Sequence, residues 1–453
     1  MALVEKQVLK DHSRNVFDSS AVAASQEQQA SAADRASLIS AAQERIWFLE
    51  QMEPGNPTNV VFHVFRVSGK LNHEALGLAL DELARRHETL RTTFAPVAIY
   101  AGVDGRPLPI LAHSALSALS IIDLNALPEA ERETRLADVT KGEARQPFDL
   151  SKGPLNRTKL IRLAEDEHLL LLSMHRMIAD HESSSIFVRE LFCLYDSFAN
   201  HSQFEKQSLM IQYSTAAGRQ HFWLQTTEAN GRIESYKQLL KGAPDLLELP
   251  TDRPRPAKQS YAAARASIEI PNDVVDSVHE LSKRAQVNSS VILLAAFQAL
   301  LARYSAQADI VIGFSDNQRS PETDSIIGPL TNTVAVRTRV FTEGSFLDQI
   351  KRTSENLTEA CSFQPIPFAR LIKELQPQRT FSYSPIFQVM FKLESDAPFT
   401  CELQDLIVHE VDYATEVSEF DLSASIPALR KGRHSKFNLD YSTDLFDHST
   451  IQR

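Results

Sequence analysis

The fold of this chain is indicated most directly by the stretch Ser173-Met174-His175-Arg176-Met177-Ile178-Ala179-Asp180-His181. The residues that lead into it, 168–174, are nearly all apolar, which is typical of a strand buried on both faces. Residues 178–182 predict a loop, and a helix follows for which the serines at 183–185 offer N-caps. The stretch therefore predicts a strand, a loop and a helix within an α/β fold.

The polar residues of this stretch have a chemical meaning for acyl transfer. An acyltransferase that forms no covalent intermediate needs an imidazole beside the attacking amine or hydroxyl, as a general base or to orient it. It also needs a fixed carboxylate that holds the local backbone. The pattern His-His-x-x-x-Asp-Gly supplies both, and its second His faces the reaction. This chain has Arg176 at the second His and His181 at the Gly, so the sequence predicts the frame of such a site with an altered centre.

Composition argues against several classes of protein. The 453 residues are 43% hydrophobic and carry a net charge of −11 without a basic stripe, which disfavours nucleic acid and anionic membranes as partners. The three cysteines, Cys193, Cys361 and Cys401, are far apart and lack metal-binding spacing, so we expect no metal site and a reducing, cytoplasmic location. No apolar run approaches the roughly 18 residues of a membrane span, and no secretion signal is recognisable.

Periodicity and composition predict two lobes that each mix helices and strands. Residues 1–36, rich in Ala, Ser and Gln, are expected to be a linker or docking segment. Strands are predicted at 60–67, 308–314, 333–340 and 385–393, and helices at 71–90, 272–285 and 289–304. We therefore expect an N-terminal lobe over 37–209 and a C-terminal lobe over 210–453.

Seven stretches form an ordered series of motifs. They are 40–49, 86–94, 175–181 with its preceding matches at 147–150 and 153–155, a weak one at 212–213, 327–333, 364–368 and 379–387, with further matches at 247–254 and 441–446. Together, over about 38–453, they resemble the condensation domains of nonribosomal peptide synthetases. One such motif would be weak, but this many in the right order make coincidence a poor explanation.

The resemblance implies the architecture and the partners. It implies two lobes of the chloramphenicol-acetyltransferase type, set as a V-shaped pseudo-dimer with a central tunnel. Donor and acceptor carrier proteins would deliver acyl or peptidyl thioesters on phosphopantetheine arms, so that no cofactor is bound by the domain itself. The implied reaction is amide or ester formation in natural product biosynthesis, with the neighbouring assembly-line domains as further partners.

His175 and Arg176 are expected on opposite faces of the predicted strand, because neighbouring side chains alternate. His175 shares its face with Ser173, and Arg176 shares the other face with Met174. We expect His175 to be a buried structural residue, with a catalytic role as the alternative. Arg176 cannot accept a proton near neutral pH. We expect it to form a salt bridge with a nearby Glu or Asp, with stabilisation of an oxyanion as the alternative.

Asp180 and His181 complete the motif. The resemblance implies that Asp180 is a structural residue that pairs with an arginine, and Arg86 and Arg91 of the second motif are the candidates. The alternative is an ordinary acidic residue at a helix N-terminus. His181 could replace the missing imidazole as the catalytic base, although its backbone lies five residues beyond Arg176.

Three further residues are expected to line the tunnel. Met174 is placed there with Arg176, and Asn332 and Ser384 match family positions near the tunnel. For Asn332 and Ser384 the alternative is hydrogen bonding within a turn or at the end of a strand.

Three functions remain open from the sequence. The first is a condensation enzyme with an unusual centre, since tethering of two reactants can supply much of the rate. The second is a non-catalytic, condensation-like scaffold that binds carrier proteins or recruits a tailoring enzyme, as some family members with His-Arg-x-x-x-Asp do. A free-standing acyltransferase is less favoured, because the chain ends at Arg453 inside what reads as a starting helix, as a segment of a longer protein would.

Overall fold

The computed structural model describes most of the chain from residue 39 onward. The described residues are 39–96, 107–113, 119–200, 208–317, 319–340, 344–378, 380–394, 399–427, 429 and 435–453. The expected linker or docking segment 1–36 lies outside them, as does Arg379 of the seventh motif.

Two six-stranded sheets with helices packed on them form the architecture, which confirms the predicted two-lobed α/β fold. The first sheet contains, in spatial order, β11 (Thr400–Glu402), β12 (Leu406–Val411), β1 (Val60–Gly69), β6 (Glu167–His175), β5 (Asn156–Arg162) and β4 (Leu119–Asp123). The second contains β7 (Ala263–Ile270), β14 (Ser435–Ser442), β13 (Leu422–Pro427), β10 (Val389–Glu394), β8 (Asp309–Asn317) and β9 (Thr331–Arg339). A separate hairpin joins β2 (Thr92–Pro96) and β3 (Pro107–Leu111).

The helices of the described residues lie on the faces and at the edges of the two sheets. They are α1 (Ala41–Met52), α2 (His73–Arg86), α3 (Glu129–Arg145), α4 (His181–Asn200), α5 (Tyr213–Trp223), α6 (Thr227–Leu240), α7 (Asn272–Ala285), α8 (Ser289–Ser305), α9 (Phe346–Ser362), α10 (Phe368–Leu375) and α11 (His448–Gln452).

Strand β6 is the centre of the first lobe. Its apolar run is buried on both faces, as predicted: Leu170 and Leu172 pack beneath α2 and α4, and Leu169 and Leu171 pack on the side of α3. It pairs antiparallel with β1, where Phe65 lies opposite Leu170. Because both faces are covered, a slip of one residue in register would exchange the two faces, so the position of the turn after β6 is fixed.

The second lobe follows the prediction closely, with one exception. Helices α7 and α8 begin where predicted and end within one residue of the predicted limits, and β8 and β9 agree to within three residues. The strand predicted from 385 is wrong at its start, because β10 begins at Val389. Ile386 has a φ of 74°, which is outside the extended region, so the chain turns here before it enters the sheet.

The two sheets do not divide the chain at a single position. Strands β11 and β12 belong to the expected C-terminal range 210–453, yet β12 pairs with β1 of the first sheet, where Val408 lies opposite Val67. The segment that follows returns to the second sheet at β13. The lobe boundary at 209/210 therefore stays a prediction, and the chain crosses between the sheets again after it.

Among the described residues, no single helix combines the length and the apolar composition of a membrane span. Helices α7 and α8 reach these values only as a pair, and they meet at a bend of 104°.

Candidate active site between the two sheets

Arg176 follows the last residue of β6 and is bound by the second half of the chain. Its Nη1 lies 3.1 Å from Oε2 of Glu419, which precedes β13. The other oxygen of Glu419 lies 2.7 Å from Nη2 of Arg45, on α1. Burial alone would raise the pKa of Glu419, but the two guanidinium groups outweigh it and hold the pKa at about 2. The salt bridge expected for Arg176 is therefore present, and its partner is a carboxylate shared with Arg45.

His175 is enclosed on the opposite face of β6. Its side chain is 2% exposed, its Nδ1 accepts a hydrogen bond of 3.1 Å from the Met177 amide, and its ring meets Phe148 edge to face at 5.9 Å. Burial lowers the pKa of His175, which favours the neutral ring. These contacts fix the turn after β6, which supports the structural role expected for His175.

Asp180 caps helix α4 and joins it to the second lobe. Its Oδ1 accepts from the Ser183 amide at 2.8 Å, so Asp180 is the N-cap and the serines proposed for that position lie inside the helix. Arg319 binds both carboxylate oxygens at 2.9 Å, and the amides of Leu330 and Thr331 donate to Oδ2 at 3.0 and 2.8 Å. Burial alone would raise the pKa of Asp180, but Arg319 outweighs it and holds the pKa at about 2.

Arg86 and Arg91 were the proposed partners of Asp180, and this prediction was wrong because neither contacts it. Arg86 pairs with Glu190 within the first lobe. Arg91 donates to the carbonyls of Ala84 and Ala112, at 2.9 and 2.6 Å, and secures the turn after α2. The actual partner, Arg319, lies beyond β8 and reaches Asp180 because the loop between β8 and β9 packs against the N-terminus of α4.

The loop between β8 and β9 contains the fifth motif, 327–333, and its glycine has a steric reason. A Cβ at Gly328 would lie 2.2 Å from Cδ2 of Tyr213, so only glycine fits against that ring. The Tyr213 hydroxyl in turn lies 2.8 Å from Oγ of Ser40 in the first motif. The first, third, fourth and fifth motifs therefore meet around Asp180.

His181 is the first residue of α4 and is placed beside a second imidazole. Its ring centroid lies 4.6 Å from that of His63 on β1, and His63 Nδ1 lies 2.7 Å from Oε1 of Glu410 on β12. Burial and the neighbouring His63 ring lower the pKa of His181, and Lys392 acts in the same direction, so the ring is neutral at pH 7. The structure thus gives His181 a neutral imidazole on a solvent-exposed residue, five residues along the chain from Arg176.

Three residues expected to line the tunnel have different roles. Met174 is fully buried in the core of the first lobe, so its placement there was wrong. Asn332 donates to the carbonyls of Gln364 and Ile366, at 2.9 and 2.8 Å, which agrees with the structural alternative. Ser384 donates to the carbonyl of Glu419 at 3.0 Å and so lies beside the Arg176 ion pair.

A group of charged residues fills the space between the end of β6 and the second sheet. Lys392 on β10 lies near enough to Arg176, Glu419 and His181 for their charges to influence one another. We call Arg45, Arg176, His181, Lys392 and Glu419 the interlobe site. Sequence reasoning identified Arg176 and His181, and it missed the other three.

The three missed residues had no local signal in the sequence. Arg45 lies inside the first motif, Glu419 just before β13 and Lys392 within β10. Each is a charged residue in an ordinary local context, and only the packing of α1, β6, β10 and the segment before β13 brings them together. A charged residue predicted on the inner face of a strand, as Lys392 is, is the one feature that could have raised suspicion.

Residue 176 of the interlobe site is suited to binding a ligand and not to transferring a proton. Arg176 donates and cannot accept a proton, and its carboxylate partner is held ionised by two arginines. No group of three or more His, Cys, Asp or Glu side chains in the described part of the chain is arranged to hold a metal ion. The neutral imidazole of His181 is the group of this site with a free basic nitrogen near pH 7.

The Glu419 ion pairs should make the protein sensitive to acid. The pKa of Glu419 is lowered in the folded state, so its contribution to stability is present above its ordinary pKa, near 4.5, and is lost as the pH falls towards about 2. We expect Glu419→Gln to have a shallower decrease in unfolding free energy between pH 5 and pH 2 than the wild type, measured by urea unfolding at a series of pH values. Equal slopes in both proteins would contradict this assignment.

Comparison with known proteins gives a consistent family. The condensation domain family matches residues 34–453. Malpinin synthetase of Mortierella alpina is 35% identical over 416 residues, which are 92% of this chain and 5% of that protein. Phosphinothricin tripeptide synthetase PhsB of Streptomyces viridochromogenes is 34% identical over 420 residues, 90% of this chain and 34% of that protein. The chain thus spans only a small part of the length of these relatives.

Solved structures show the same fold. The complex of the X-domain and OxyB from teicoplanin biosynthesis contains a chain that matches with a TM-score of 0.80 and 27% identity, covering 92% of this chain and 90% of that one. A four-domain nonribosomal peptide synthetase bound to AMP and glycine matches with the same TM-score at 19% identity, covering 92% of this chain and 32% of that one, and shows the fold alone.

Proposed function

This chain belongs to the condensation-domain family of nonribosomal peptide synthetases, and from that membership we propose that it receives acyl or peptidyl thioesters from carrier proteins in the interlobe site but lacks a general base at position 176. The phosphopantetheine arm arrives with the carrier and is not held as a resident cofactor. Amide or ester formation then proceeds only at the rate that proximity supports.

The observation that carries this proposal is the ion pair of Arg176 with Glu419. It occupies the position from which the second His of the motif would act, and it ties the end of β6 to the segment before β13. At the same time the frame of the motif is kept, because Asp180 is fully bonded and His175 is enclosed. A retained frame with a replaced base supports binding of the tethered substrates and weak catalysis.

Proximity gives such a site a residual reaction. Two tethered reactants gain effective molarity, worth up to roughly 7–11 kcal/mol when they are ideally oriented. A general base typically contributes a further 10²–10⁴-fold. The proposed domain keeps the first contribution and lacks the second.

A second candidate function is a scaffold that recruits a tailoring enzyme. The similarity to the X-domain solved with OxyB favours it, since that match covers nine-tenths of both chains at 27% identity. In this case a tailoring enzyme would bind the outside of the domain while a carrier-bound chain is presented nearby. The two candidates differ in whether the tethered chain enters the interlobe site.

Insertion of the tethered chain can be measured by binding. We expect a carrier that bears a hexanoyl group in stable amide linkage to bind about tenfold more tightly than the same carrier with an unacylated arm, because several methylenes are buried. Ser384→Trp, beside Glu419, should remove this gain, whereas Ser277→Trp, on the exposed side of α7, should not. Equal affinity for the acylated and unacylated carriers would contradict the proposal and favour a purely external scaffold.

A further inference from the structure

At β13 and β14 the second sheet has one apolar and one largely polar face, whereas Val311, Ala335 and Met390 make the second face apolar at β8–β10. Side chains of β7, β10, β13 and β14 that point to the apolar face, such as Phe391 and Ala424, pack with α8 and α9 in a core. The alternate positions point the other way. They include Met390, Lys392, Ser423, Ser425, Asn438, Asp440, Arg265 and Ser267. Of these eight residues all but Met390 are polar, and we call the seven polar ones the polar face.

The register arranges the polar face in two rows. Lys392 lies beside Ser425, Ser425 beside Asn438, and Asn438 beside Ser267, so one row crosses four strands. Neighbouring strands are about 4.7–4.9 Å apart, so the groups of one row are within reach of a single ligand. Arg176, after the end of β6 in the first lobe, and Glu419, in the segment before β13, both influence the charge of Lys392 and form an ion pair with each other.

The polar face presents hydrogen-bond donors without acceptors around Lys392. Ser423 and Ser425 are 3% and 7% exposed, yet neither hydroxyl has a hydrogen-bond partner among the described residues. The Asn438 side-chain oxygen accepts from Ser267 at 2.7 Å, while its amide nitrogen has no acceptor within the described ranges. None of these three groups is among the fully buried unpaired polar atoms of the described residues, so they are open to solvent and available to another molecule.

Lys392 is also the one cation of this group without a counter-ion in contact. Asp440 is bound by Arg265, at 2.7 and 3.1 Å, and Glu419 is bound by Arg45 and Arg176. Lys392 forms no ion pair or hydrogen bond within the part of the chain that the structure describes. Burial, reinforced by Arg176 and Arg265 and opposed by Asp440 and Glu419, lowers the pKa of Lys392, and an anion in contact with the amine would oppose this shift further.

We propose that the Lys392 end of the polar face binds a carboxylate carried by the tethered acyl or peptidyl chain. The ammonium group of Lys392 supplies the charge, and the hydroxyls of Ser425 and Ser423 and the amide of Asn438 supply further donors for the two carboxylate oxygens. This inference rests on the proposed function, because it requires that a tethered chain enters the interlobe site, and it names the chemical class of that chain.

The test compares a carboxylate with its neutral isostere. The probes are pantetheine carrying a succinyl group through a stable amide, its succinamoyl counterpart, and phosphopantetheine without an acyl group, titrated against the full chain. We expect the succinyl probe to bind at least about tenfold more tightly than the succinamoyl probe, as a charged hydrogen-bonded contact provides. Lys392→Met should bring the ratio close to one, Ser425→Ala should reduce it in part, and Lys283→Met, on the exposed side of α7, should leave it unchanged.

The possible results distinguish binding through the carboxylate, binding through the phosphate of the arm, and no binding. Equal binding of the two acyl probes to the wild type overturns the carboxylate proposal and leaves the proposed function standing. Tight, Lys392-dependent binding of phosphopantetheine alone assigns the site to the phosphate of the arm and also overturns it. Failure of every probe to bind overturns both the proposed function and this inference. The wild-type comparison does not depend on any variant, and Lys392→Gln provides a second substitution if Lys392→Met is unstable.

Discussion

Asp180→Ala should lower the free energy of unfolding by about 3–5 kcal/mol, because it leaves a buried guanidinium without its counter-ion. The side chain of Arg319 is 2% exposed and that of Asp180 is 9% exposed, and the pair has bidentate geometry at 2.9 Å. The substitution also removes the N-cap of α4 and the acceptor for the amides of Leu330 and Thr331. These bonds connect the two lobes, so we expect both lobes to be destabilised.

The measurement is urea unfolding followed by tryptophan fluorescence and circular dichroism. The two tryptophans report on different lobes, since Trp47 lies in the core of the first sheet and Trp223 packs against a core of the second. Asp149→Ala is a matched control, because that aspartate is half-exposed and its contacts, an ion pair with the exposed Lys152 and hydrogen bonds from Ser151, are local. The double variant Asp180→Leu with Arg319→Met should recover much of the loss, because it leaves no unpaired charge. An unchanged midpoint in Asp180→Ala would show that the pair does not hold the lobes together.

Arg176→His should increase condensation between a loaded donor carrier and a loaded acceptor carrier by about 10²–10⁴-fold, the usual contribution of a general base. The wild type should give little or no product in the same assay. The substitution is well tolerated by its surroundings, because Arg45 keeps its ion pair of 2.7 Å with Glu419. The new imidazole would lie on the same face of the strand as Arg176, where the motif requires it.

Two variants distinguish this expectation from its alternatives. Arg176→Ala removes the guanidinium without adding a base, so it should not increase the product. His181→Ala should have no effect on a wild type that is already slow. Fast wild-type turnover that is lost in His181→Ala would identify His181, beside His63, as the working base. Fast turnover that is lost in Arg176→Ala would make Arg176 the catalytic residue.

The order of the motifs and the local pattern around 168–181 were sufficient to predict the family, the two-lobed α/β fold and the strand–turn–helix that carries the site. This was possible because the signals are local: an apolar run buried on both faces, a side-chain alternation of two residues, and a polar turn at a fixed distance. The separation of His175 and Arg176 on two faces of β6 follows from the same alternation, and the structure shows it.

The partners of these residues could not be predicted in this way. Asp180 pairs with Arg319, 139 positions away, and not with Arg86 or Arg91, which are nearer in sequence and belong to a recognised motif. Arg176 meets Glu419 across 243 positions. The local sequence around a charged residue does not specify its ion-pair partner, because the pairing depends on how the two sheets pack against each other.

The sequence by itself determined the elements, their faces and the family, because periodicity and motif order are properties of neighbouring residues. The tertiary structure alone decided that Met174 is core, that Glu419 neutralises Arg176, and that Lys392 lies among unpaired donors on the polar face of the second sheet. The physical reason is that the charged residues of the interlobe site come from separate elements: α1, the end of β6, β10 and the segment before β13. Their charges can balance one another only once these elements are packed together.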